Sequence, residues 1–188
     1  MTTKININKI KKYIQEECAK PGNYGIWFYN THLLAVEKSA KILLEKFPKA
    51  KGEVVMLGVW LHDLQRIRCV KGDHQKIGAL EAEKVLNEFG ANQKLIKEVK
   101  EIILSHSCER KKPANLEAKI LSTADAMSHY MNDFYLDITI RIKKDIKKAK
   151  KFVLTKTEKD YNKKIYFDFA RKMVKKQHEA LRFVFKNK

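Results

Sequence analysis

Val54-Val55-Met56-Leu57-Gly58-Val59-Trp60-Leu61-His62-Asp63 is an unbroken apolar run that stops on an imidazole and a carboxylate. Pro48 and Gly52 bracket a turn before it, and the stretch from Val54 to Leu64 reads as a helix with Val55, Val59 and His62-Asp63 on one side. Where a helix ends, an adjacent His and Asp can both turn toward one metal ion. A second imidazole and a second carboxylate from other helices would complete a mixed nitrogen and oxygen shell. His32 upstream and Asp125 downstream stand in matching surroundings.

Toward the N-terminus, Thr31 to Phe47 reads as a helix on which His32, Val36, Ser39-Ala40, Leu43 and Phe47 share a face, so the His32 ring points inward. Before it, Ile5 to Lys20 is amphipathic and stopped by Pro21-Gly22, and the aromatic stretch Tyr24 to Asn30 is expected to be irregular. Toward the C-terminus, Asp73 is a good N-cap for a helix running to Phe89, with Gly90 as its stop. Asn92 to Ser107 carries Leu95, Val99, Ile102-Ile103 and His106 at helical spacing. Past Pro113, Leu116 to Tyr130 gathers Ala118, Leu121-Ser122, Asp125 and Ser128-His129 on one face. A carboxylate beside Leu121 on a buried face needs a partner, because an isolated ionised group there is costly.

Two further helices are expected, at about Phe134 to Phe152 and Lys159 to Phe185. On the second, Tyr161, Ile165, Phe169, Met173 and Leu181 form a stripe while Phe167, Phe183 and Phe185 lie off it, a surplus that suggests a second contact surface such as a homodimer would use. No segment sustains period-two alternation or carries a hairpin signal, so the fold class is all-α: a helical bundle with a buried metal site and basic C-terminal helices. With 188 residues and no linker-like tract, 1–188 reads as a single domain, with a motif core at approximately 31–130 and a helical extension at 131–188.

His32, then His62-Asp63, then His74-Gln75-Lys76-Ile77-Gly78-Ala79, then Ile103-Leu104-Ser105-His106, then Ala124-Asp125-Ala126 resembles the HD-domain superfamily of metal-dependent phosphohydrolases. Five elements agree in order with helix-sized gaps, whereas a lone His-Asp dipeptide is common by chance. The resemblance implies an all-helical fold with a buried metal centre that hydrolyses phosphate esters of nucleotides or related compounds. It implies His32, His62, Asp63 and Asp125 as metal ligands, and His74 and His106 either as ligands of a second ion or as groups that contact phosphate or transfer a proton. Mononuclear members carry a Glu three residues after the Asp of the motif. Here that position is Arg66, which is closer to the binuclear phosphodiesterase branch, where a basic residue helps to hold phosphate. Asp63, Arg66, His74 and His106 are therefore the expected catalytic set. One or two divalent ions are expected per chain, and the donor set suits Mn, Fe, Co, Ni, Zn or Mg.

His129 is read as a surface residue or one behind the ligands, Glu37 as solvated, and Glu81 and Glu109 as candidate acids behind the ligands; His178 has no evident partner. Cys18, Cys69 and Cys108 are odd in number and widely spaced, against a disulfide framework or a zinc knuckle. The opening Met1-Thr2-Thr3-Lys4 leads into a polar amphipathic segment and no apolar run approaches a membrane span, so a cytoplasmic protein is expected. The net charge is +18, and residues from Arg141 onward hold 18 basic against five acidic side chains. Such a tail attracts polyanions. Lysine dominates it, however, and tuned phosphate recognition favours the Arg fork. The expected partner is thus a small phosphorylated substrate, with weak nonspecific nucleic-acid binding; the rival reading is a scaffold that binds RNA or another polyanion without turnover.

Overall fold

The computed structural model describes residues 5–140 and 145–186. It is all-α: among the described residues there are eleven α-helical segments and no strand. In chain order these are α1 (Ile7–Ala19), α2 (Ile26–Phe28), α3 (Leu34–Lys46), α4 (Gly52–Leu61), α5 (Leu64–Ile67), α6 (His74–Glu88), α7 (Gln93–Ser105), α8 (Leu116–Ser128), α9 (Phe134–Ile138), α10 (Ile146–Lys159) and α11 (Asp168–Lys186). Two π-turns, Tyr29–Leu33 and Asp160–Lys164, join α2 to α3 and extend α10.

The apolar run becomes the axis of the bundle. Every residue of α4 from Val54 to Leu61 is buried, and the helix packs against α1, α3, α6, α7 and α8. A helix apolar all round has no solvent face to keep, so it belongs at the centre. Gly58 permits the closest approach, since a Cβ there would lie 2.5 Å from Ile102 Cδ1 and 3.1 Å from Leu121 Cδ2. The second central helix is α8, buried continuously from Ile120 to Ser128. Asn6, Asp73, Asn92, Asn115 and Asp145 cap α1, α6, α7, α8 and α10 by accepting backbone N–H bonds.

Several boundaries differ from the sequence expectation. Tyr24 to Asn30 is largely helical, because Ile26–Phe28 runs directly into the first π-turn. The helix expected to reach Leu64 breaks at Asp63, whose φ of −109° and ψ of 19° leave the α region. The expected Phe134 to Phe152 helix is two segments: α9 ends at Ile138, and α10 starts at the Asp145 cap and continues to Lys159. The expected Lys159 to Phe185 helix is interrupted at Ile165, which is extended, so α11 begins only at Asp168. Its buried residues are Ala170, Val174 and His178, while Met173 is exposed. The expected stripe carried one helical period across a break that has no Gly or Pro to announce it. No helix among the described residues is long and apolar enough to cross a membrane.

Candidate metal centre

Four of the six histidine and aspartate residues expected at the site arrive where helical hydrogen bonding starts or stops. His62 closes α4 and Asp63 follows it, His74 opens α6 and His106 closes α7. His32 lies inside the first π-turn, a distortion of the kind often retained at functional sites. Asp125 alone projects from mid-helix, on α8. The start of α6 is fixed by Asp73, which accepts from the N–H groups of Gln75 and Lys76 at 3.2 and 3.3 Å. One turn on, Gly78 lets α6 reach the end of α4: a Cβ there would sit 3.1 Å from the His62 carbonyl oxygen.

The structure brings all six together. His32 Nε2 lies 3.6 Å from Asp63 Oδ2 and 3.5 Å from Asp125 Oδ1. His62 Nε2 lies 3.6 and 3.9 Å from the same two oxygens. The other oxygen of Asp63, Oδ1, faces His74 Nε2 at 3.6 Å and His106 Nε2 at 4.0 Å, and those two nitrogens are 3.2 Å apart. Asp63 thereby belongs to two adjoining ligand groups. Arg66 Nε approaches Asp63 Oδ1 at 3.2 Å.

Hydrogen bonds at the far side of three rings fix which nitrogen is bare. His62 Nδ1 is 2.9 Å from the Val59 carbonyl and His106 Nδ1 is 2.6 Å from that of Ile103, so each Nδ1 carries the proton. His32 Nδ1 is 3.3 Å from Ser128 Oγ, which gives its own proton to the Asp125 carbonyl at 2.7 Å and must accept from the ring. Nε2 lone pairs therefore point at carboxylate oxygens, acceptor against acceptor, with no proton between them. Burial keeps His32, His74 and His106 on the neutral side by lowering their pKa values. Burial opposes ionisation of Asp63 and Asp125, but His62 and Arg66 around the first and Lys164 and His129 around the second outweigh it and hold both well below the ordinary value. Neutral imidazole and ionised carboxylate are the ligating forms. His62 Nε2, buried, has no hydrogen-bond partner, and Asp63 Oδ1 accepts no hydrogen bond beyond its ion pair with Arg66. Orphaned acceptors in a buried cluster are what cations satisfy, so the residues present fit a divalent ion among His32, His62 and Asp63, with Asp125 Oδ1 within 3.9 Å of both imidazoles, and accommodate another at Asp63, His74 and His106.

Sequence reasoning missed most of the layer behind this cluster, in which His129 takes the second of its two expected places. His129 is buried, with Nε2 3.4 Å from Asp125 Oδ1 and Nδ1 2.8 Å from Asp160 Oδ2, and its ring stacks on His32 at 5.0 Å. Burial pushes its pKa down to about 3. Asp160 is fully buried and also accepts from Tyr135 at 3.1 Å and pairs with Lys156 at 3.1 Å. Lys164, equally hidden, donates to Asp125 Oδ2. Burial disfavours its charge, yet Asp125 and Asp160 more than compensate and raise its pKa. Lysines in an otherwise solvated tail give no sequence signal of burial; only the spacing Lys156, Asp160, Lys164, four residues apart, was there to be read.

Other expectations move. Glu37 is not solvated but half-buried between Lys11 and Lys41, at 2.8 and 3.1 Å. Glu81 pairs with Arg68 and Lys84, so it ties elements together rather than supporting the ligands. Glu109 pairs with Lys159 at the cavity wall. His178 has partners after all, stacking on Tyr161 at 4.1 Å with Tyr130 Oη 3.4 Å from its Nδ1. Cys18, Cys69 and Cys108 are free.

The cluster forms the floor of a cavity of about 410 Å³. Arg66, Lys156, Lys159 and Lys164 contribute cationic groups to its wall, and Tyr24, Phe28, Phe134 and Phe152 contribute aromatic ones.

Residues 29–129 match the HD domain model. The chain belongs to the HD-domain superfamily, whose members are metal-dependent phosphohydrolases. Its fold is similar to that in the crystal structure of a predicted HD superfamily hydrolase from an uncultured Thermotogales bacterium, with a TM-score of 0.61 and 21% identity over 95% of this chain and 89% of that one. At that identity the likeness concerns the fold. No curated protein matches the chain.

Proposed function

We propose that this chain hydrolyses a small phosphate ester, a nucleotide or cyclic nucleotide, with one or two divalent ions held by His32, His62, Asp63 and Asp125 and by Asp63, His74 and His106. The observation that carries this reading is the convergence of unprotonated Nε2 atoms and ionised carboxylates at the floor of a cavity whose remaining wall is cationic and aromatic. A divalent ion supplies acidified water and a charge that polarises a phosphoryl oxygen.

The chain's own residues supply the rest. Arg66, held by Asp63 and facing the cavity, orients a phosphoryl oxygen through its guanidinium. Where no second ion occupies them, the Nε2 atoms of His74 and His106 can accept the proton that the attacking water gives up and return it to the departing ester oxygen as the phosphorus–oxygen bond breaks. Tyr24 and Phe28, in edge contact at 5.0 Å, offer an apolar rim suited to a nucleobase. The extension 131–188 acts in one domain with the core 31–130, since Phe134, Phe152, Lys156, Lys159 and Lys164 line the same cavity. The test is a metal-supplemented screen of nucleotide mono-, di- and triesters and cyclic nucleotides. Turnover that depends on the ion and disappears in His62→Ala is expected; a loaded protein inert on every phosphate ester would overturn the reading.

A further inference from the structure

Lys164 is buried to 3% exposure, which is rare for lysine unless its charge is answered. Its position is built rather than incidental. The Asp160–Lys164 π-turn closes with Ile165 N–H donating to the Asp160 carbonyl at 3.1 Å. The Lys164 carbonyl accepts from Ser122 Oγ at 3.2 Å and Thr123 Oγ1 at 3.4 Å, both on α8, and Tyr166 N–H donates back to Thr123 Oγ1 at 3.1 Å. Two hydroxyls flanking the turn thus lock the backbone that aims the ammonium at Asp125, three residues along α8 from Ser122.

The charge balance shows what the ammonium is for. Among the described residues four cations line the cavity, Arg66, Lys156, Lys159 and Lys164, against the carboxylates Asp63, Glu109 and Asp125, with Asp160 directly behind as a fourth. The described part of the wall is therefore neutral before any ion enters, and each divalent ion adds two positive charges. The surplus is greatest at Asp125, where Oδ1 faces the imidazoles and Oδ2 faces Lys164, so one carboxylate must answer both an ion and an ammonium. An incoming dianion relieves that competition.

Resting on the hydrolase reading above, we infer that Lys164 is a substrate-binding residue: in the metal-loaded protein its ammonium contacts a non-bridging oxygen of the substrate phosphoryl group, opposite the role given to Arg66. The site would then take a phosphoryl group between a cation delivered by the core and one delivered from outside residues 29–129. A lysine serving only as the counter-ion of Asp125 would leave phosphate affinity untouched.

The experiment is calorimetric titration of inorganic phosphate into manganese-loaded wild-type and Lys164→Met proteins, with metal content measured on the same samples. The inference expects full metal content in both and phosphate binding weakened about tenfold or more in the variant, the loss of one charge-assisted hydrogen bond. Unchanged phosphate affinity would overturn it. Loss of metal from the variant would also overturn it, by making Lys164 a residue that positions Asp125. Should Lys164→Met not fold, tungstate soaked into crystals of the loaded wild-type protein decides the matter: an oxygen within hydrogen-bond distance of Lys164 Nζ supports the assignment, and tungstate bound away from it refutes it. Phosphate binding without turnover of any ester would sink the hydrolase reading alone, whereas turnover with phosphate affinity unaltered in Lys164→Met would sink this one alone.

Discussion

Helices α4 and α10 both end in a backbone irregularity that pushes charged groups into one cavity, yet they are held there by different forces. The end of α4 is fixed by packing, since Val54 through Leu61 are buried on every side. In α10 only Ala149, Val153 and Thr157 are buried, and its end is pinned by polar contacts: Tyr130 Oη donating to the Thr157 carbonyl at 2.7 Å, His129 and Tyr135 on Asp160, and Ser122 and Thr123 on Lys164. Packing energy is spread over many contacts and survives the loss of one. A polar pin in low dielectric leaves an unpaired charge when a single partner is removed. The two ends should therefore respond oppositely to substitution: changes at His62 and Asp63 abolish function in an intact fold, and changes at Asp160 damage the fold itself.

The largest effect is expected at the α4 end. His62→Ala or Asp63→Ala should strip tightly held metal and lower turnover beyond the ~10–100-fold typical of groups that only support a ligand, while circular dichroism keeps its helical signal. Full metal content in both variants would break the comparison. Next, His74→Ala or His106→Ala should remove a second equivalent of metal without emptying the first, read by elemental analysis; a saturating ratio of one in the wild-type protein, unaltered by either substitution, would return these rings to phosphate contact or packing.

At the α10 end, Asp160→Ala removes a buried carboxylate that answers His129, Lys156 and Tyr135. Breaking a buried pair from one side costs about 3–5 kcal/mol, so chemical denaturation should show a loss of that order even in the absence of metal. A loss no larger than that of an exposed ion pair would mean the C-terminal pins carry little.

A smaller effect lies away from the cavity, at Glu17, which is buried beneath Arg68 and Lys20 and accepts from Arg68 Nε at 2.7 Å. Burial opposes its ionisation, but Lys20 and Arg68 prevail and lower its pKa. Because the folded-state pKa is depressed, its stabilising contribution is complete above the unfolded carboxyl pKa and declines as pH falls through the folded one. Glu17→Gln should cost about 2 kcal/mol near neutrality and flatten the acid limb of the stability profile; equal acid sensitivity in both proteins would remove Glu17 from the account.

The smallest effect is expected on the basic face. Lys143 and Lys144 lie outside the described residues, while Lys147, Lys148 and Lys151 are exposed on α10. With these five and Lys150 changed to glutamine, hydrolysis of small esters should be unaltered. Nucleic-acid binding, weak at the outset, should lose roughly 0.7–0.9 from its log–log salt slope for each phosphate contact removed. A tight, sequence-selective complex at physiological salt would instead favour the polyanion-binding reading.

The same contrast explains what was legible in the sequence. The α4 end announces itself, because an eight-residue apolar run has only one place to go and a His-Asp pair at its end has few structural uses. His32, His106 and Asp125 were readable for a related reason, each prolonging an apolar stripe on its own helix. Asp160 and Lys164 were not, since their burial depends on Ser122, Thr123 and His129 arriving from another helix, and local periodicity carries no trace of that meeting. His129 was left between a surface place and one behind the ligands because its inward partner, Asp160, is 31 residues away. The break at Ile165 escaped notice because tertiary hydrogen bonds to the Lys164 carbonyl, not a helix-breaking residue, mark it.

The most direct measurement is elemental analysis of the purified protein after dialysis against metal-free buffer, with and without prior loading. Retention of one or two equivalents of divalent metal per chain, falling to none in His62→Ala, is the result expected if bare Nε2 atoms and ionised carboxylates converge to hold a cation. Retention of no metal under either condition by a folded wild-type chain would contradict it.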